Sequence, residues 1–152
     1  MASRHESRER ALQMLYLWDQ SGETPDRVID GYWGNLVSEE TPGEAPARRP
    51  LTDEFANQLL RGAVQRSAEA DTLIRAHAEH WRLERMSAVD RNILRLAVFE
   101  LLEGQTPAPV VIDEALEIAR RFSGEESVHF INGVLDAVRK ALAESISRKD
   151  AK

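Results

Sequence analysis

"AVDRNILRLAVFELLE", residues 88–103, leaves a helix almost no face for water. Val89, Ile93, Leu94, Leu96, Ala97, Val98, Leu101 and Leu102 spread around the helical circumference instead of lining one side. The run is shorter than the roughly 20 residues a membrane span needs. A helix apolar on nearly every side must be wrapped by other elements, so this run predicts the central helix of a helical assembly. Ser87 with Asp90 three residues on matches the capping-box pattern, and Gly104 ends the run.

Working outward, the same signals recur. "SRHE" (Ser3 with Glu6) opens a helix through Ala11, Leu12, Leu15 and Trp18 that ends near Gly22. A helix after Thr24-Pro25 carries Val28, Ile29, Tyr32, Trp33 and Leu36. Residues 38–50, "SEETPGEAPARRP", hold almost nothing to bury and read as a mobile surface loop. Thr52 is expected to cap a helix with Phe55, Leu59, Leu60 and Val64. An interrupted helical stretch then reaches about Trp81, with Leu73, Ile74 and Ala78 facing inward. "TPAP" (106–109) starts a helix through Ile112, Ala115, Leu116, Ala119 and Phe122, with Asp113 and Glu114 near its positive end.

The last helix follows "SGEE" (Ser123 with Glu126), a third capping-box match. Val128, Ile131, Leu135, Val138 and Leu142 draw one apolar stripe down it. Phe130 falls about 110° off the centre of that stripe, beside His129, Gly133 and Ala137, at 100° per residue. Such an aromatic either belongs to a second buried face or stands at the surface for a ligand. No stretch alternates convincingly as a strand. The expectation is an all-α fold, a compact bundle of about seven helices forming one domain over residues 1–145, followed by a basic tail at 146–152.

The 152 residues, 42% hydrophobic and 30% charged, suit one soluble domain. There is no cysteine, which excludes disulfides and thiolate metal sites, and a cytoplasmic location is expected. The net charge of −6 argues against a polyanion partner until its distribution is considered. Residues 1–10 carry +1 and residues 139–152 carry +3, so both ends are basic and the body acidic. That asymmetry suits either a local polyanion site or two solvated termini.

Catalytic signals are poor. His77 and His80 stand at i,i+3, but no third ligand is evident, so no metal is expected. Neither "GEES" nor "GQTP" has the spacing of a phosphate loop, and no cofactor is implied. Nothing reads as an enzyme. The N-terminal helix says more: Arg4, His5 and Arg8 are near neighbours at i,i+4 and could grip a phosphate backbone together with first-turn amides. Glu6 and Glu9 allow the alternative of a salt-bridged, solvated face. Tyr16 stays open between core and surface, because its hydroxyl wants a polar partner.

"RERALQMLY" (8–16), "VDRNILRLAVFELL" (89–102) and "PVVIDEALEIARRFSGEESVHFINGVLD" (109–136) closely resemble the signature stretches of the NusB family of bacterial transcription antitermination factors. The resemblance covers nearly the whole chain. It implies two three-helix halves with an extra helix, and a non-enzymatic role. Family members bind boxA RNA of ribosomal RNA operons together with NusE, a small-subunit ribosomal protein, and the complex joins the elongating RNA polymerase. Some form homodimers that hide the RNA surface, which leaves a homodimer open here.

Carried over by position, the RNA-binding residues are Arg4, His5, Arg8, Gln13 and Tyr16, then Glu126, Ser127, His129 and Phe130. The NusE-facing residues are Glu84 and Asp90, and Asp90 equally suits a helix cap. Two departures point to weaker RNA binding by the chain alone. Glu6 and Ser7 dilute the N-terminal basic run, and His129 stands where a lysine is common. Two other functions compete. One is a helical protein–protein adaptor that never touches RNA. The other is the accessory RNA-binding domain of an RNA methyltransferase, which would need a further cofactor-binding domain of roughly 150–250 residues; none is expected, since the sequence stops at Lys152.

Overall fold

The computed structural model describes residues 3–38, 52–78 and 82–150. Seven α-helices account for most of them, and there is no strand among the described residues. The chain divides at Val64–Gln65 into two compact units. The first holds α1 (Arg4–Ser21), α2 (Pro25–Ser38) and α3 (Glu54–Gln65), the last ending at the boundary. The second holds α4 (Ser67–His77), a 3-10 turn at Leu83–Arg85, α5 (Ala88–Glu103), α6 (Ala108–Phe122) and α7 (Glu125–Asp150). Three helices and four agree with the halves-plus-one that the resemblance implies.

In the second unit α5 is central, as its composition requires: it runs against α4, α6 and α7. Nine consecutive residues, Asn92 to Glu100, are buried on it. Val89, Leu101 and Leu102 are half-buried at its two ends. The stretch also buries polar groups that the apolar pattern did not announce. Arg95 grips Asp71 of α4 through both carboxylate oxygens, Nε to Oδ1 at 2.8 Å and Nη2 to Oδ2 at 3.1 Å. Its third nitrogen donates to Asn92 Oδ1 at 3.1 Å, and the Asn92 amide donates to the Ala88 carbonyl at 2.8 Å. Each buried donor thus has an acceptor, which such groups need to avoid a desolvation penalty of about 1–3 kcal/mol. Gly104 ends the helix at φ 69°, a left-handed conformation that costs glycine nothing.

In the first unit Ala11, Leu12, Met14 and Leu15 of α1, Val28 and Ile29 of α2, and Ala56, Leu59, Leu60 and Ala63 of α3 are buried. Trp18, expected in the core, is only half-buried. The cap of α3 is also not the expected one. Asp53 Oδ1 accepts from the Ala56 amide at 3.1 Å, while the Thr52 hydroxyl accepts from the Asn57 amide at 2.6 Å. Asn57 in turn accepts from the Trp33 indole at 2.9 Å, joining α2 to α3.

Other expectations shift with the helix ends. Because α6 begins at Ala108, Asp113 and Glu114 lie in its second turn, and no acid sits in the first. Phe122, expected inward, is 39% exposed with the Arg121 guanidinium 5.1 Å from its ring centre. The expected tail from residue 146 continues α7 as far as Asp150. The loop read over 38–50 falls outside the described residues beyond Ser38, as do His80 and Trp81. No helix among the described residues is long and apolar enough to cross a membrane.

Candidate nucleic-acid interface

The first unit offers the opening of α1. Ser3 caps it as expected, its hydroxyl accepting from the Glu6 amide at 3.1 Å. The cations then separate by depth. Arg4 is exposed and lies with its guanidinium carbon 3.8 Å from the centre of the Phe55 ring, a cation–π stack on a side chain of α3. Arg8 is only 5% exposed, and its guanidinium sits 5.9 Å from the same ring. Of the neighbouring carboxylates, Glu9 is 3.0 Å from His5 Nε2, and Glu6 is 4.0 Å from Arg10. At about 100° per residue His5, Gln13 and Tyr16 share one face of α1. Gln13 is exposed and accepts from the Tyr32 hydroxyl at 2.6 Å; Tyr16 is 41% exposed. Burial pushes the Tyr32 hydroxyl above its ordinary pKa, so it remains a donor at neutral pH.

Beneath this face Asp53 ties α1 to α3. Its Oδ2 accepts from the Ser7 hydroxyl at 2.7 Å and from Arg10 at 2.9 Å. Burial alone would raise the Asp53 pKa, but the Ser7, Ala56 and Arg10 donors outweigh it and hold the carboxyl below its ordinary value. A carboxyl depressed on folding contributes stability above its unfolded pKa of about 3.9, and that contribution disappears as pH falls through the folded value. Asp53→Asn should therefore cost about 1–3 kcal/mol at pH 7. Denaturant titrations at descending pH should show the gap to the parent protein closing below about pH 4. A constant gap would mean that the charge on Asp53 is irrelevant.

The second unit offers the opening of α7. Here α6 and α7 are joined by Ser123 and Gly124 alone, and Gly124 has φ 149°, a conformation other residues rarely adopt. The expected cap is absent. The Ser123 hydroxyl instead approaches Asp90 Oδ1 at 2.6 Å and Ser127 Oγ at 2.7 Å, and Ser127 donates to Asp90 Oδ2 at 2.7 Å. Asp90 keeps its place in the first turn of α5, where its amide donates to Ser87 Oγ at 3.1 Å. The Asp90 carboxylate therefore ties the start of α5 to the end of α6 and the start of α7, a role the sequence did not offer it.

Beside these three residues lies a surface recess of about 210 Å³. Arg85, Met86 and Ser87 line one side, and Glu126, Ser127 and Phe130 the other, with Asp90 between. Phe130 is half-buried here, and a side chain placed at Gly133 would meet nothing within 4 Å. Gly133, beside Phe130, is thus not the seat of a tightly packed helix. His129 is exposed one position away. Glu84, in the 3-10 turn, is exposed and 3.0 Å from Arg75. Its own backbone amide and the Arg75 guanidinium hold its carboxyl below the ordinary value.

The structure thus brings Glu126, Ser127 and Phe130 to one recess and adds Asp90, which the sequence left open between a partner contact and a helix cap. Arg85, Met86 and Ser87 line the same recess, while Ser123 stands behind it on Asp90 and, in the first unit, Phe55 lies under Arg4. The sequence marked Ser123 only as a cap and Phe55 only as an inward residue, because their partners here, Asp90 and Arg4, are distant in the chain. No group of acidic and histidine side chains suited to a metal ion occurs among the described residues.

Comparisons with known proteins agree along the chain. The model of the NusB family matches residues 5–140. The transcription antitermination protein NusB of Solibacter usitatus (strain Ellin6076) is 55% identical over 144 residues, covering 95% of this chain and 93% of that one. Among solved structures, T. maritima NusB is similar with a TM-score of 0.74 and 32% identity, over 91% of this chain and 92% of that one. A chain in the crystal structure of antitermination factors NusB and NusE in complex with dsRNA has a TM-score of 0.73 and 28% identity, over 91% and 96%.

Proposed function

The chain belongs to the NusB family, and from that premise we propose that it is a transcription antitermination factor that binds boxA RNA of ribosomal RNA operons together with NusE. In this reading it joins the elongating RNA polymerase, acts in the cytoplasm and performs no catalysis of its own. The observation that carries the RNA contact is the recess at the start of α7, where an aromatic ring, hydroxyls, carboxylates and Arg85 converge. A splayed base can stack on such a ring while the polar groups meet its edge.

The proposed RNA contacts are Arg4, His5, Gln13 and Tyr16 on the first unit, and Glu126, Ser127, His129 and Phe130 on the second. Arg8 joins them through Phe55 more than through its own surface, being nearly buried. Glu84, already paired with Arg75, is the proposed NusE contact that remains most open. With acids partnering His5 and Arg10, the basic face is partly neutralised, so tight RNA binding is expected to require NusE.

An electrophoretic titration of boxA-type RNA, with and without NusE, tests this reading. A shift that strengthens with NusE supports it; binding to NusE with no RNA shift under any condition would favour the adaptor reading. Arg4→Ala should weaken RNA binding and lower the salt slope by about 1, the signature of a single lost phosphate contact. An unchanged slope would remove Arg4 from the interface.

A further inference from the structure

The Asp90, Ser123 and Ser127 side chains close a triangle of residues through contacts of 2.6, 2.7 and 2.7 Å, one to each Asp90 carboxylate oxygen and one between the two hydroxyls. Each hydroxyl has one proton to give, so two protons serve three short contacts, and both carboxylate oxygens are engaged. The arrangement spans three elements: the first turn of α5, the end of α6 and the first turn of α7. It also stands where α7 needs it. Gly124, the residue before that helix, has no side chain with which to cap it, and helix ends left without partners fray. Ser127 and Phe130 are three residues apart on α7, so they share a face, and both line the recess.

We infer that this triangle is a clasp that positions Phe130 on the recess wall, making Ser123 a positioning residue for RNA binding although it lies outside the recess lining. The inference rests on the RNA reading above. Its physical basis is preorganisation: a ring already held in place loses less freedom when a base stacks on it, and affinity rises by what is not lost. Asp90 then serves RNA binding from within the protein through its hydrogen bonds to α7.

The test measures binding of a boxA-type single-stranded RNA, by fluorescence anisotropy in the presence of NusE, to full-length variants shown to be folded by circular dichroism. Ser123→Ala should weaken RNA binding about three- to tenfold, the range expected for one hydrogen bond. Ser123→Thr, which restores the hydroxyl, should recover it. Affinity for NusE without RNA should be unchanged, which separates positioning from general loss of structure. In a Phe130→Leu background the further effect of Ser123→Ala should fall below about twofold, because coupled residues are not additive. Undiminished RNA binding by Ser123→Ala, or an equal loss in both backgrounds, overturns the clasp. A parent protein that binds no RNA with NusE present overturns the functional reading and the inference with it.

Discussion

Phe130→Ala is expected to weaken boxA-type RNA binding by about 1–3 kcal/mol, the worth of one base stacked on an aromatic ring. That corresponds to a loss of roughly 5–150-fold in affinity. Full truncation of a core phenylalanine costs about 3–5 kcal/mol of stability through the cavity it leaves. Phe130 is half-buried and borders an open recess, so water can occupy the vacated space and the stability cost should stay below that range. Anisotropy titration and thermal unfolding of the same preparation separate the two effects. A large fall in melting temperature with RNA affinity intact in the folded fraction would return Phe130 to the core.

A second large effect is expected far from any ligand. Asp71→Ala removes the partner of a guanidinium whose side chain is only 9% exposed. Breaking a buried pair from one side leaves an uncompensated charge, and the expected cost is about 3–5 kcal/mol. At about 2–4 °C per kcal/mol for a chain of this size, the fall in melting temperature should be easily measured. Replacing both residues, as in Asp71→Leu with Arg95→Met, should recover most of the loss, since no charge is then stranded. An Asp71→Ala protein within about 0.5 kcal/mol of the parent would show that Arg95 reaches water.

These two residues also mark what was legible beforehand. Helix positions are set by periodicity and by short-range punctuation, and both are written in consecutive residues. The sequence predicts the central helix over 88–103 and it runs Ala88–Glu103, because Ser87 and Gly104 act on the turns next to them. The cap at Ser3 was legible for the same reason. The local pattern at Ser123 predicts a cap, but its hydroxyl is taken by Asp90, 33 residues away. Thr52 lost its role to the adjacent Asp53, which is fixed by Ser7 and Arg10 more than 40 residues off.

The candidate site divides along the same line. Residue types were readable: an off-stripe aromatic, a basic helix start, and carboxylates at the openings of two helices. Family resemblance attached ligands to them. What the sequence determined by itself is the all-helical class, the order of the helices and the centrality of the most apolar one, since each follows from interactions within a few turns and from the cost of exposing apolar surface. Only the tertiary structure decided that Arg8 lies nearly buried by Phe55 while Arg4 stacks outside, and that Asp90 reaches across to Ser123 and Ser127. Those outcomes depend on side chains meeting across helices, where a shift of an ångström exchanges one hydrogen-bond partner for another.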